Sequence, residues 1–325
     1  MQARVFEESW PIAGRFVISR GARTEARVVV VELTDGAAVG RGECVPYARY
    51  GETVEGVMAE IAELLPALEQ GLSRQALQQR LPAGAARNAI DCALWDLECK
   101  QSGQRIWQRT GLSAPAPQVC AYTLSVDTPE AMEAVARQHA WRPLLKLKLA
   151  GAGDLARVAA VRRGAPEARI IVDANEGWDE VLYRELVPEL ATLGVAMIEQ
   201  PLPAGQEALL ATLPRPIPLC ADESCHDRSS LPAVLGSYDL INIKTDKTGG
   251  LTEALALKAE AEAAGLGIMV GCMLATSLAM APAFVLAQGV RVVDLDGPLL
   301  LATDRPDGFA YDGALMQPCE AALWG

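Results

Sequence analysis

The stretch LLKLKLAG at residues 144–151 decides how the rest of the chain is read. It is an apolar run carrying two lysines two positions apart. In an extended chain, residues i and i+2 share a face. Lys146 and Lys148 therefore point the same way from a segment with apolar flanks. An unpaired buried ammonium is expensive, and lysine is rarely found fully inside a protein. Two such lysines at the end of a core strand call for opposite charge nearby or for a chemical use.

The texture of this stretch repeats. After SAPAPQ (113–118), short apolar runs alternate with Ala-, Leu- and Glu-rich helical stretches. The runs are VCAYTLS, LLKLKL, RIIVDAN, VAMIEQP, IPLCADES, LINIKTD, GIMVGCM and VVDLDGP. Alternation of this kind implies parallel strands joined by crossover helices. Eight units predict a closed (β/α)8 TIM-type barrel with its active site at the C-terminal strand ends. Each run ends on a polar residue or cysteine: Thr123, Lys148, Asp173, Glu199, Asp222, Lys244, Cys272 and Asp296, separated by 25, 25, 26, 23, 22, 28 and 24 residues. A polar residue marks the place where any strand leaves a core. Three acids on consecutive strands with lysines on both sides are more than that.

Residues 1–115 read as an α+β capping domain, 116–303 as the barrel, and 304–325 as a C-terminal segment returning toward the cap. Within the cap, RVVVVEL (27–33) and GRGECVP (40–46) read as strands joined by a turn at TDG (34–36). Helical patterns follow at about 54–70, 73–80 and 84–101. GRFVISRGAR (14–23) and YARYGE (47–52) read as loops, and they carry Arg15, Arg20, Arg23 and Arg49.

Composition narrows the function. The chain has 325 residues, half of them hydrophobic, enough for one large domain and a smaller one. A net charge of −12 argues against nucleic acid and anionic membranes as partners. No run reaches the ~18 apolar residues of a membrane span, and MQARVFEESW has acids where a signal peptide needs an apolar stretch. Eight scattered cysteines without a CxxC pair suggest reduced thiols and a cytoplasmic protein. Homo-oligomerisation is compatible with all of this. The two histidines, His139 and His226, are too few for zinc chemistry on a histidine cluster, and His226 reads as a loop residue.

Asp173, Glu199 and Asp222 fall on barrel strands three, four and five, which lie ~4.8 Å apart. Three carboxylates so placed repel one another unless a cation joins them. All-oxygen ligation points to a hard ion, Mg2+, with Mn2+ as a substitute. Lys148 and Lys244 fall on strands two and six, opposite each other in an eight-membered ring. A proton acceptor on each face of a bound carbon, beside a cation able to stabilise an enolate, suits proton transfer at a stereocentre. The metal and Lys146 are expected to lower the pKa of a catalytic lysine. Asn175 shares a face with Asp173. Asp246 and Lys247 lie past the strand end and read as loop residues or supports of the site, and Glu223, by strand alternation, points away from Asp222, with a supporting hydrogen bond still open to it.

The set KLK, DAN, EQP, ADES, NIK and DLDGP resembles the enolase superfamily, in its muconate-lactonizing subgroup, and within that the dipeptide epimerases. The resemblance spans essentially the whole chain, PAGAARNAIDCALWDLECK (82–100) matching the capping domain. Lysine bases with Mg2+ are that superfamily's known pattern. The resemblance implies Lys148 and Lys244 as the acid/base pair and Asp173, Glu199 and Asp222 as metal ligands. It also implies Thr123, Lys146, Cys272, Asp294 and Asp296 as substrate contacts, the last two holding an α-ammonium. Its capping loops close over the barrel mouth, with Arg20 first and Arg23 behind it for an acidic side chain. The activity implied is 1,1-proton transfer at the α-carbon of the C-terminal residue of L-Ala-D/L-Glu-type dipeptides, through a Mg-stabilised enolate, in murein peptide metabolism. The alternatives are N-acylamino-acid racemase, o-succinylbenzoate synthase and cycloisomerase. Their substrates lack a free α-ammonium, which leaves the DLDGP acids without a cationic partner. A Schiff-base aldolase on the same barrel would not need the acidic triad.

Overall fold

The computed structural model describes residues 1–325. Strands Gln2–Ile18, Gly21–Asp35 and Ala38–Cys44 form an antiparallel sheet in that order. Val29, Val31 and Leu33 alternate onto its buried face and pack against helices Val54–Glu69, Arg74–Arg80 and Ala85–Ser102. Thr53 and Ser73 cap the first two helices, accepting from Gly56 N at 3.0 Å and Ala76 N at 3.2 Å. The third helix lies hard against the sheet because Gly42 has no side chain. A Cβ there would sit 2.1 Å from the Ala89 carbonyl oxygen.

One expectation fails here. Residues 14–23 are not a loop but the tip of the first hairpin, with Phe16 opposite Arg23, Val17 opposite Ala22 and Ile18 opposite Gly21. Only Ser19 and Arg20 turn. This ribbon buries little, so it carries no clear alternation of apolar and polar residues, and backbone pairing holds it in strand form. The second supposed loop contains one 3-10 turn, Ala48–Tyr50.

The anticipated barrel forms. Its strands are Tyr122–Leu124, Leu144–Lys148, Arg169–Asp173, Val195–Glu199, Leu219–Ala221, Leu240–Ile243, Gly267–Gly271 and Val292–Asp294, each paired in parallel with the next. The ring closes where Ala121 N donates to Val293 O at 2.8 Å and Cys120 bridges Val293. Seven strands each give one residue to the lower interior, and Ala121, just before the first strand, completes the layer: Ala121, Leu144, Ile171, Met197, Cys220, Leu240, Met269 and Val292. Because strand side chains alternate, the next inward layer is two residues on: Thr123, Lys146, Asp173, Glu199, Asp222, Asn242, Gly271 and Asp294.

The final segment runs back to the cap. Arg305 pairs with Glu43 at 2.7 Å and with Glu8. Trp324 Nε1 donates to the Cys92 carbonyl at 3.0 Å, and Gly325 N donates to Asp96 at 2.8 Å. All eight cysteines are free thiols, and no helix is long and apolar enough to cross a membrane.

Candidate active site

Strand register builds the acidic centre: Lys148 stands beside Asp173, and Asp173 beside Glu199. One carboxylate oxygen from each of Asp173, Glu199 and Asp222 lies within 4.8 Å of the others, and all three residues are buried. The lysines surround this cluster. Lys148 Nζ is 2.5 Å from Asp173 Oδ2, and Lys244 Nζ is 2.7 Å from Asp222 Oδ2. Lys146 Nζ lies deeper, 2.6 Å from Glu199, 2.7 Å from Asp294 and 3.4 Å from Asp173. Lys247 pairs with Asp222 at 2.7 Å and also donates to the Asp222 and Asn242 carbonyls.

Burial dominates the electrostatics. It pushes Glu199 up, the charge of Asp173 adds to it, and the carboxyl rests at about 7. Burial also acts to raise Asp222, but Lys244 and Lys247 outweigh it and hold that carboxyl well below its usual range. Asp173 is lowered too, Lys148 and Lys146 overcoming its burial. In Lys244, burial acts to lower the ammonium's pKa, yet Asp222 and Glu199 prevail and hold it well above its ordinary value. Lys146 pushes Lys244 in the expected downward direction but is the weaker influence. A divalent cation drawing on those carboxylates would take away the interaction that keeps Lys244 charged. An all-oxygen, closely spaced, buried donor set fits a hard ion.

A cavity of about 340 Å³ opens above the cluster. Lys148, Asp222, Lys244, Cys272 and Arg20 line it, together with Asn175 and Glu223. Thr123, Asp294 and Asp296 sit on the wall formed by strands eight and one. There Thr123 N donates to Asp296 Oδ2 at 2.6 Å. Burial, reinforced by Asp294, pushes Asp296 up to about 7. Asp294 Oδ1 is buried without a hydrogen-bond partner. Asn175 supports Asp173 twice, from its backbone N at 2.9 Å and from Nδ2 at 3.2 Å. His226 lies in a loop, its ring 4.4 Å from that of Tyr50. Asp246 is not a free loop residue: it lies in the first turn of the short helix Thr245–Thr248 and accepts from Val45 N at 3.0 Å and Asn88 Nδ2 at 2.8 Å.

Glu223 corrects another expectation. It does not point away but lines the same cavity, 2.8 Å from Arg20. The strand ends at Ala221 and the chain turns there, so strand alternation no longer governs position 223. Asn242 was missed altogether. Its Nδ2 donates to Glu199 Oε1 at 2.7 Å. The available signal was its place in LINIK, two before Lys244 and therefore on the same face.

An eight-stranded barrel with three carboxylates on strands three to five, lysines on strands two and six, and an α+β cap over its mouth has the build of the enolase superfamily. Residues 1–111 match the model of the mandelate racemase / muconate lactonizing enzyme N-terminal domain, and residues 128–303 match the enolase C-terminal domain-like model. The chain belongs to this family and is an isomerase. It is 51% identical to the L-Ala-D/L-Glu epimerase of Escherichia coli over 93% of this chain and 94% of that one. It is 45% identical to an N-acetyl-D-glutamate racemase from Pseudoalteromonas over 92% and 95%. Among solved structures, an enolase-family member from Agrobacterium tumefaciens with bound sodium and L-Ala-L-Glu superposes with a TM-score of 0.98 at 53% identity, covering 99% of both chains. A dipeptide epimerase from Methylococcus capsulatus complexed with Mg and L-Arg-D-Lys gives 0.88 at 30% identity, covering 98% and 97%.

Proposed function

We propose that this chain is a dipeptide epimerase for L-Ala-D/L-Glu-type substrates, inverting the α-carbon of the C-terminal residue. The observation that carries the reading is the pair Lys148 and Lys244, on strands two and six, both lining one cavity that contains a carboxylate of the acidic triad. Asp173, Glu199 and Asp222 would hold Mg2+, with Mn2+ as a substitute. The ion would supply Lewis-acid stabilisation of the negative charge that develops on the substrate carboxylate.

The chain's own residues do the rest. One lysine, neutral, removes the α-proton from its face, and the other, charged, returns a proton from the opposite face. Lys146, held by three carboxylates, keeps a positive charge beneath the site. Asp294 Oδ1, without a partner, and Asp296 accept the substrate ammonium, with Thr123 orienting Asp296. Cys272 contributes to the cavity wall rather than a nucleophile, since burial holds its thiol protonated. An acidic side chain on the second residue points up toward the arginines of the cap. Activity on such dipeptides in the cytoplasm would serve murein-peptide turnover.

The test is turnover in D2O with Mg2+. The account expects α-deuterium in the glutamyl residue of L-Ala-L-Glu and L-Ala-D-Glu, lost on EDTA treatment and restored by Mg2+. The relative that racemises N-acetyl-D-glutamate supplies the competing substrate. Faster labelling of N-acetyl-glutamate than of either dipeptide would replace the epimerase reading with a racemase one.

A further inference from the structure

Asp154 is a fully buried acid that the proposed chemistry does not use. Each of its oxygens takes two donors. Oδ1 accepts from Ala150 N at 3.0 Å and Arg157 Nη1 at 2.9 Å. Oδ2 accepts from Gly151 N and from Trp178 Nε1, both at 2.8 Å. An acid in the first turn of the helix Asp154–Gly164 is favourable in itself. That does not account for Trp178, which belongs to the next strand–helix unit.

The donors show what the carboxylate joins. Ala150 and Gly151 follow Lys148 closely, and Trp178 lies in the loop that follows Asp173. Asp154 therefore clasps the loops leaving strands two and three, at the rim where Lys148 stands beside Asp173. The loops run side by side: a Cβ on Gly151 would lie 3.4 Å from the Gly177 carbonyl oxygen, and Leu149 N donates to Asp173 O at 2.9 Å. The second loop is strained. Asn175 and Glu176 are both left-handed, with φ of 44° and 65°, a costly backbone for residues that carry a Cβ. Glu176 N donates to Gln200 O at 2.9 Å and Trp178 N to Pro201 O at 3.1 Å, holding this turn from the side of strand four. The Trp178 indole on Asp154 holds it from the side of strand two. Lys244, across the ring, is held by other means, through Asp222 and through the helix Thr245–Thr248 that packs on the cap.

We propose that Asp154 is a positioning residue for one face of the reaction only. Through Trp178 and the Ala150 and Gly151 amides it sets the reach of Lys148, and it leaves Lys244 untouched. The rate test of this assignment rests on the two-lysine reading.

The experiment isolates each lysine. Lys244→Ala leaves Lys148 as the base, and Lys148→Ala leaves Lys244. D154N and W178F are each added to both backgrounds, and α-proton exchange of L-Ala-L-Glu and L-Ala-D-Glu in D2O with Mg2+ is followed by mass. D154N sets an NH2 group where one oxygen now receives two N–H donors. W178F is the gentler variant, removing the indole N–H while keeping an aromatic ring. Exchange through Lys148 should fall about tenfold or more in D154N, and less in W178F, as expected for a misplaced base. Exchange through Lys244 should change by less than about threefold, the independence expected of distant sites. A merely structural role would lower both backgrounds alike, and that result overturns the assignment. A second readout needs no turnover. In D154N and W178F made alone, backbone hydrogen exchange should show residues 149–153 and 174–178 losing protection together, while 241–248 keep theirs. Unchanged protection of 174–178 in both variants also overturns the assignment. Should neither single-lysine protein exchange either epimer, the two-lysine reading falls. The protection pattern then decides the clasp by itself, joint loss upholding it and unchanged protection of 174–178 rejecting it.

Discussion

Two layers of the same barrel, one strand period apart, carry opposite chemistry. The lower layer runs Ala121, Leu144, Ile171, Met197, Cys220, Leu240, Met269 and Val292, a dry plug filled from all around the ring. Two residues further along each strand stand Thr123, Lys146, Asp173, Glu199, Asp222, Asn242, Gly271 and Asp294. The plug needs only shape and volume, and its neighbours are interchangeable in kind. The upper layer needs each charge matched to a particular neighbour, since an unpaired buried charge costs several kcal/mol. Even its one glycine follows from this: a Cβ on Gly271 would fall 2.6 Å from Asn242 Oδ1. The lower layer makes the upper one possible by fixing register.

The contrast breaks most sharply at the acids. Asp173→Asn, Glu199→Gln or Asp222→Asn should each lower turnover by roughly a thousandfold or more, while an isosteric change keeps the barrel folded. Far-UV circular dichroism with Mg2+-dependent activity checks this, and retained turnover in any one variant would remove that residue from the metal set. The supporting residues come next. Asn242→Ala removes the hydrogen bond to Glu199 Oε1 and leaves Lys146 as its remaining partner, and Lys247→Met leaves Asp222 without its second cation. Each should cost on the order of 10–100-fold in metal affinity or activity, the usual penalty for losing a ligand's orienting partner. In the plug, Met269→Leu should change activity by less than about threefold, because volume-conserving core swaps cost under ~1.5 kcal/mol.

A smaller effect sharpens the comparison at the cap–barrel contact. Burial pushes Asp246 up to about 7, against the hydrogen bonds it accepts from Val45 N and Asn88. An acid whose folded pKa exceeds its unfolded one leaves the native state holding the extra proton. Its contribution is therefore most favourable below the unfolded pKa and is lost as pH rises toward about 7. Asp246→Asn should flatten the fall in stability between pH 5.5 and 8 by on the order of 1–4 kcal/mol. Urea denaturation of both proteins at the two pH values measures it. An unchanged slope would assign the titration elsewhere.

The sequence made the upper layer legible because strand period and unit spacing are local properties. Polar residues recurring every 22–28 positions located the acids and lysines before any contact was visible. What stayed hidden was set by partners far along the chain. Asn242 looked like any polar residue in a strand until Glu199 stood beside it. The tip of the first hairpin read as a loop because it lacks a buried face, and Arg20 gained its meaning from Asn175, Glu176 and Glu223, more than 150 residues away. Glu223 was misdirected because the strand stops one residue before Asp222.

The central claim is that Lys148 and Lys244 serve opposite faces of one carbon. Lys148→Ala and Lys244→Ala, loaded with Mg2+, should be incubated separately with L-Ala-L-Glu and L-Ala-D-Glu in D2O and followed by mass and chiral chromatography. The account predicts that neither variant interconverts the epimers. It predicts also that each exchanges the α-proton of only one epimer, and that the two variants choose opposite ones. A single-lysine variant that still interconverts the epimers near the wild-type rate, or two variants that exchange the same epimer, would contradict it.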